Sequence, residues 1–581
     1  MSKTARHSAG DFFTQHRLYL ASGLVFLFAA GIISRLVYLQ IVDYNQYETL
    51  ANKQHQQTEE LFPDRGQIFM QDGWLGAVAS LATNRRYYLV YAQPSQIINP
   101  TTTAEALAPL LEVSSTADLL PRLNKPNSEY QPLKHKVSEE VKDQLVALNL
   151  KGINFEEEYW RFYPENNLAS HVLGFVGFNP GDDIPKGQYG LEGYWNKELS
   201  GAKGYFTFER DVSGRLIPIA RRALADKKNG SDLVLTLERS VQFTACQTLQ
   251  EEIAKHGANG GSLIIMEPYT GEIWAMCSFP DFNPNNYNQV KNINTFNDQV
   301  VFDPYEPGSV FKPITMAMGI DLGKVRPETT FNDTGQFKAG GFTIRNSDKK
   351  ANGIQTMIQV LDKSLNTGAI FVAQKVGVDN FKQYLRNFGF FNKTNLPVAG
   401  ERVGNLTSLN NKGDIFLATA SFGQGITVTP IQLVTAYAAL ANGGKLVKPL
   451  LVKELKNPDG TIQKFEPQFI RQVVSPQTAY TLAGMLASVV GAAIPGYHVA
   501  GKTGTAQVYN AATKDYDESN TSHTFIGFTP VSKPRFVMLI KMDDPKDVQF
   551  AEGSVVPVFA KVGQFLLNYL QVPPERPMAN P

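Results

Sequence analysis

Apolar and polar positions change their rhythm twice along this chain of 581 residues. From Leu18 to Ser34 no charged residue occurs, and apolar residues resume after Arg35 as far as Val42. About 20 apolar residues cross a bilayer core, with a lower range of roughly 17, so residues 18–42 suffice provided Arg35 snorkels to the interface. Lys3, Arg6 and Arg17 precede the segment, which places residues 1–17 on the cytoplasmic side. A cleaved signal peptide has a shorter apolar region and a small-residue cleavage site, so the pattern predicts an uncleaved anchor.

Residues 43–224 show mixed short strands, polar turns and proline breaks such as Phe162-Tyr-Pro164. A polar linker, Ala225-Asp-Lys-Lys-Asn-Gly-Ser231, ends that stretch. The rhythm then becomes regular. Asp232 to Leu237 predicts a strand, and Arg239 to His256 a helix stopped by Gly257. Gly261 to Met266 and Glu272 to Cys277 flank the turn Pro268-Tyr-Thr-Gly271, a hairpin pattern. Strands beginning near Lys502, His523 and Arg535 complete an antiparallel sheet, and Val558 to Leu570 forms a last helix. Residues 571–581 hold four prolines and are expected to be disordered. The fold class is therefore α/β in the α+β sense, an antiparallel sheet flanked by helices. The expected organisation is a tail (1–17), an anchor (18–42), a non-catalytic module (43–224), a catalytic domain (225–570) and a tail (571–581). A chain this long is expected to form several domains rather than one core.

Composition narrows the function. A net charge of +1 makes no case for nucleic acid. Eight histidines occur without an H-E-x-x-H or another ligand cluster, so neither a metal nor a cofactor is expected. Glu156-Glu-Glu158 is a solvated charge run rather than an acid pair. Cys246 and Cys277 are the only cysteines. An oxidising compartment lets them pair, but two isolated thiols in apolar segments are more often simply buried.

Three short motifs carry the candidate chemistry. S-x-x-K occurs at Ser200/Lys203, Ser309/Lys312 and Ser347/Lys350, S-x-N at Ser364/Asn366 and Ser408/Asn410, and K-T-G once, at Lys502. Ser200 lies among glycines and Ser347 in a polar loop, whereas Ser309 follows the turn Tyr305-Glu-Pro-Gly308 and opens a helix-like run. A serine at a helix start is ordinarily an N-cap. Here Lys312, one turn on, shares its face. A serine hydroxyl needs a base before it attacks, and a lysine serves if burial or a nearby cation lowers its pKa. Lys502 is such a cation. On the strand Gly501-Lys-Thr-Gly-Thr-Ala-Gln-Val-Tyr509, Thr503 and Thr505 share a face suited to a carboxylate. Gly504 lacks a side chain that would block a substrate backbone.

Taken together, these motifs resemble the class B penicillin-binding proteins, the membrane-anchored DD-transpeptidases of bacterial cell-wall synthesis. Tyr305-Glu-Pro-Gly-Ser-Val-Phe-Lys-Pro313 resembles their nucleophile segment. Ser421-Phe-Gly-Gln-Gly-Ile-Thr-Val-Thr-Pro430, with Leu433 to Gly444, resembles their helical core segment, and His523-Thr-Phe-Ile-Gly-Phe-Thr-Pro530 the strand after K-T-G. Arg65-Gly-Gln-Ile68 and Gly190-Leu-Glu-Gly193, with Leu199 to Gly204, resemble motifs of the N-terminal module. The chain departs from the family at Ala551-Glu-Gly-Ser-Val-Val-Pro-Val-Phe559, where paired glycines and paired alanines are usual, and at Phe69-Met-Gln-Asp-Gly73.

The resemblance implies the penicillin-binding serine transpeptidase fold with an elongated N-terminal pedestal or dimerisation module and one transmembrane helix. It implies an inner-membrane protein with its catalytic domain in the periplasm. Ser309 would attack the penultimate carbonyl of a stem peptide ending in D-Ala-D-Ala, with Lys312 as base. Ser364, Asn366 and Lys502 would relay the proton and orient the substrate, and Thr503, Gly504 and Thr505 would bind the terminal carboxylate end. β-Lactams would acylate the same serine. A multi-span polysaccharide polymerase and divisome membrane proteins are the implied partners. Tyr305-Glu306 and Ser421 to Gly425 resemble the division branch more than the elongation branch. The rival readings are an elongation-type enzyme, a DD-carboxypeptidase or β-lactamase, and a non-enzymatic β-lactam sensor.

Overall fold

The structure, a computed structural model, describes residues 10–45, 47, 56–73, 76–178, 184–209, 223–490, 494–510 and 515–575. Residues 1–9 of the expected cytoplasmic tail and 576–581 of the expected disordered tail lie outside them. Contacts divide the chain into two units, Met1–Pro63 with Ala202–Lys228, and Asp64–Gly201 with Asn229–Pro581.

In the first unit the apolar run forms the helix Gly10–Val37, which continues as a five-residue π-helical turn, Tyr38–Val42. Among the described residues it is the one helix long and apolar enough to cross a membrane. Arg35 lies with its guanidinium 5.5 Å from the Tyr38 ring centroid, a cation–π contact that shields its charge. The unit also holds a three-stranded antiparallel sheet, in the order Gln56–Leu61, Gly204–Glu209, Ala223–Ala225.

The second unit is built on two larger sheets. The five-stranded one runs Ile273–Phe279, Gly260–Met266, Phe536–Asp543, Asp515–Thr529, Ala500–Asn510, antiparallel throughout. Side chains alternate along each strand, so its two faces join different cores. Leu263, Ile265, Met538 and Ile540 pack under the helices Arg239–Lys255 and Val556–Tyr569. Ile264, Met266, Val537 and Leu539 belong to the core that holds the helices Lys312–Asp321 and Pro430–Ala441. Burial on both faces explains why Gly260–Met266, Ile273–Phe279 and Phe536–Asp543 read as near-continuous apolar runs rather than alternating ones. Pro430–Ala441 is buried at every residue. It starts on a reciprocal cap between Thr429 and Gln432, with Pro430 in its first turn.

The first strand after the linker goes elsewhere. Asp232–Glu238 runs parallel to Ile68–Gln71 and antiparallel to Val452–Lys456, joining strands from both halves of the sequence into the other sheet. Its apolar run shows only that both faces are covered; its partners are set by residues more than 160 positions away. The same holds for the two N-terminal motifs. Arg65 and Glu192 form a buried ion pair at 2.5 Å, and Arg161 Nε donates to the other Glu192 oxygen at 2.6 Å. Burial pushes the Glu192 pKa up, but the Arg161 and Arg65 charges outweigh it and hold the carboxyl below its ordinary range. A carboxyl depressed in the folded state adds stability above its unfolded pKa, and that contribution is lost as pH falls through the folded value. Glu192→Ala strands two arginines, one of them buried, and is expected to cost about 3–5 kcal/mol in equilibrium urea unfolding. An unchanged midpoint would show that water takes over the role of the carboxylate.

Two sequence expectations change. Cys246 and Cys277 are not two separate buried thiols: they form a disulfide, Cα–Cα 5.7 Å, between the helix Arg239–Lys255 and the strand Ile273–Phe279. The helix packs directly on that strand, which brings the two side chains face to face. The end of the chain also stays attached further than its prolines suggest. Tyr497 donates its hydroxyl to the Val572 carbonyl at 2.5 Å, and Glu575 accepts the His498 N–H at 2.9 Å.

Candidate active site

Three elements converge around Ser309. It lies in the single 3-10 turn Gly308–Phe311, which leads into the helix Lys312–Asp321 with Pro313 in its first turn. In a 3-10 turn residues i and i+3 eclipse, so Ser309 and Lys312 line up along one side. Gly308 sits at φ +61°, a conformation that favours glycine. A Cβ there would come within 3.1 Å of Ala506 Cβ on the strand Ala500–Asn510.

Lys312 is 1% exposed. Its ammonium donates to the Ser364 carbonyl oxygen and, at 3.1 Å, to Ser364 Oγ. The sequence places that amine by Ser309; its hydrogen bonds run to Ser364, so the lysine bridges the two serines' elements. Ser364 links the helices Met357–Asp362 and Asn366–Val376 at φ +53°. A non-glycine residue held there carries strain of about 1–3 kcal/mol, a feature that clusters at functional sites. The strained turn is what aims its carbonyl at Lys312. Asn366 opens the second helix and donates from Nδ2 to the Arg345 carbonyl at 2.9 Å. Next to it, Thr367 Oγ1 donates to Asp333 at 2.7 Å, and the same carboxylate accepts from Asn346 Nδ2 at 2.9 and 3.0 Å. Asp333 thus holds the start of the Asn366 helix; nothing in its sequence neighbourhood signals this.

The third element is the strand Ala500–Asn510, an edge of the five-stranded sheet. Lys502 is 2% exposed, and its Nζ donates to the Thr503 carbonyl at 3.1 Å. Gly504 also clears a neighbour within the chain. A Cβ on it would lie 3.1 Å from both the Pro307 carbonyl and Val310 Cγ1, so its missing side chain lets the strand close onto the nucleophile turn. Thr503 and Thr505 have the opposite parity. Thr503 Oγ1 donates to Glu552 Oε1 at 2.7 Å, and Thr505 Oγ1 accepts the Ala551 N–H at 3.2 Å.

The turn is braced from behind by the 421–425 segment and the buried helix after it. Gly308 N donates to the Gly423 carbonyl at 3.0 Å, Gly425 N to Glu306 Oε1 at 3.0 Å, and Thr315 Oγ1 to the Ser421 carbonyl at 2.8 Å. Tyr437 OH donates to the Val310 carbonyl at 2.6 Å. A side chain on Gly423 would strike the Gly308 carbonyl at 2.3 Å. The competing motif matches have ordinary local roles. Ser200 donates to the Lys197 carbonyl, Ser347 and Lys350 are exposed in a turn, and Ser408 donates to the Gly425 carbonyl.

The electrostatics separate the two lysines. Burial, and then the Lys502 charge, drive the Lys312 amine well below the ordinary lysine value. Burial lowers Lys502 to about 8, against the pull of Glu552 and Asp362, which favour its charged form. Both amines are thus lowered from the ordinary lysine value, which suits them to proton transfer near neutral pH.

Known proteins resemble this chain over most of its length. Residues 261–563 match the penicillin binding protein transpeptidase domain, and residues 60–235 the penicillin-binding protein dimerisation domain. The chain is 34% identical over 572 residues to stage V sporulation protein D of Bacillus subtilis, covering 95% of this chain and 86% of that protein. It is 27% identical over 570 residues to peptidoglycan D,D-transpeptidase FtsI of Escherichia coli, covering 97% and 93%. The crystal structure of penicillin binding protein 3 from Mycobacterium tuberculosis complexed with aztreonam superimposes with a TM-score of 0.67 at 26% identity, covering 90% of this chain and 99% of that one.

Proposed function

This chain belongs to the class B penicillin-binding proteins, and on that premise we propose that it is a serine D,D-transpeptidase that crosslinks peptidoglycan stem peptides through a Ser309 acyl-enzyme. The observation that carries the reading is the buried Lys312 amine, one turn beyond Ser309 and hydrogen-bonded to Ser364, with a second buried lysine on the strand alongside.

The chemistry follows from the geometry. Lys312, whose buried amine gives up its proton more readily than an ordinary lysine, takes the Ser309 proton as the oxygen attacks the penultimate carbonyl of a D-Ala-D-Ala terminus. The N–H groups of Ser309 and Thr505 stabilise the oxyanion. Ser364, bonded to Lys312 and influenced by charged Lys502, returns the proton to the departing D-alanine. Asn366 orients the substrate amide. The open edge of the Lys502 strand receives the donor peptide as an added strand, with Thr503 and Thr505 at its terminal carboxylate. The amine of a second stem peptide then attacks the ester, releasing Ser309 and forming the crosslink. β-Lactams acylate the same serine.

Residues 18–42 act as the membrane anchor, with residues 1–17 cytoplasmic and the rest periplasmic. Residues 43–224 serve as the non-catalytic pedestal and 225–570 as the transpeptidase domain. The reading extends to septal synthesis at division, beside a multi-span polysaccharide polymerase and other divisome membrane proteins. It is supported by the division-type residues Tyr305, Glu306 and Ser421 to Gly425 and by the likeness to the E. coli protein.

Two measurements divide this reading from its rivals. With a pentapeptide donor and an amine acceptor, the purified full-length protein is expected to yield crosslinked dimer, one D-alanine released per bond. Hydrolysed tetrapeptide alone would mark a carboxypeptidase. In growing cells a fluorescent fusion is expected at the constriction site; an even distribution along the side wall would instead assign it to elongation.

A further inference from the structure

The face of the Lys502 strand that suits a carboxylate already holds one from the chain itself. Thr503 Oγ1 donates to Glu552 Oε1 at 2.7 Å, and the adjoining backbone of Ala551 donates to Thr505 Oγ1 at 3.2 Å. Both hydroxyls are thus engaged by the same short helical turn, Ala551–Ser554. That turn does not hang free. Ala551 is buried, and Ser554 Oγ is 2.8 Å from His523 Nδ1 on the neighbouring strand. Glu552 itself is exposed, so its carboxylate sits where a ligand arriving from solvent meets the strand. Its charge reaches inward as well, favouring the charged forms of Lys502 and His523.

We propose that Glu552 is a specificity-determining residue: in the free enzyme it takes the Thr503 hydroxyl of the anion seat that Thr503 and Thr505 form, and a ligand carboxylate must displace it from that hydroxyl to acylate Ser309. The proposal rests on the reading that these two threonines receive the ligand's carboxylate. The single Thr503 hydroxyl proton cannot serve two carboxylates at once, and like charges placed side by side in a recognition site strongly disfavour binding. The seat therefore discriminates by charge. Small acids such as penicillins, with few other contacts to offset the displacement, are held back. A long donor peptide that also adds a strand to the edge has more contacts with which to displace Glu552. A neutral ligand meets no such competition.

The experiment measures the second-order acylation rate constant of the full-length protein with benzylpenicillin and with its methyl ester, in wild type, Glu552→Gln, Glu552→Ala and Thr503→Val. Removing the charge is expected to speed acylation by the acid about tenfold or more. The ester is expected to change by less than about twofold, and added salt to narrow the gap between wild type and Glu552→Gln with the acid. Equal shifts for acid and ester, or no gain with the acid in either Glu552 variant, overturn the proposal. Thr503→Val separates that failure from failure of the seat itself. If the seat is right, it lowers the acid-to-ester ratio whatever Glu552 does. An unchanged ratio in Thr503→Val removes the seat and with it the role of Glu552.

Discussion

Ser309→Ala is expected to abolish covalent labelling by a fluorescent penicillin in the purified protein, with the cooperative unfolding transition retained. The argument is one of placement. Of the three serines with a lysine three residues on, only Ser309 sits in a turn braced on several sides, by Gly423, Tyr437 and the Lys502 strand. Ser200 donates to its own turn, and Ser347 lies exposed with Lys350. The side chain of Ser309 is partly exposed at the end of its turn, as a nucleophile must be, and removing one oxygen there opens no cavity in the core. Loss should therefore be complete for chemistry and small for stability. Labelling is followed on a denaturing gel, and unfolding by circular dichroism. If Ser309→Ala still labels and Ser200→Ala or Ser347→Ala does not, the nucleophile has been misassigned. A variant that neither labels nor unfolds cooperatively would point to a structural role for the hydroxyl.

The motifs that make up the candidate site are legible in the sequence because each is local. Ser309 and Lys312 are related by one helical turn, Ser364 and Asn366 by one loop, and Lys502 to Thr505 by one strand. Period and turn chemistry also sufficed for the antiparallel sheet, since its strands are bounded by glycine, proline and polar turns. What stayed hidden is non-local. The run Asp232–Glu238 shows burial but cannot show that its parallel neighbour is Ile68–Gln71. Cys246 and Cys277 lie 31 residues apart, and only the packing of helix on strand brings their sulfurs together. That the missing side chain of Gly504 also clears the carbonyl of Pro307, nearly 200 residues earlier, has no local signal. The stretch Ala551 to Phe559 departs from the family pattern as a whole; that Glu552 within it reaches Thr503 is visible only once the turn Ala551–Ser554 is placed beside the strand. Asp333, whose carboxylate holds the start of the Asn366 helix, carried no signal at all.

Lys312→Arg is expected to lose acylation nearly as fully as Lys312→Met, by about a hundredfold or more, the scale of a general base. Arginine keeps the positive charge but cannot release its proton in a protein, and its fork is too wide for a site built around one ammonium. The two variants should part in stability. Because burial and Lys502 lower the Lys312 pKa in the folded state, the unfolded chain binds more protons at neutral pH, and stability rises with pH up to the ordinary lysine range. Lys312 therefore costs folding free energy at pH 7. Lys312→Met removes that cost and should unfold at higher urea, while Lys312→Arg keeps a charge buried and should unfold at lower urea. In the wild type, acylation should climb with pH as Lys312 loses its proton, then fall above about 8 as Lys502 gives up the charge that assists it. A bell-shaped profile for second-order acylation, with its alkaline limb moved by Lys502→Arg, matches this division of roles. Near-wild-type acylation by Lys312→Arg would mean that the lysine acts only through its charge, and the base would have to be sought elsewhere.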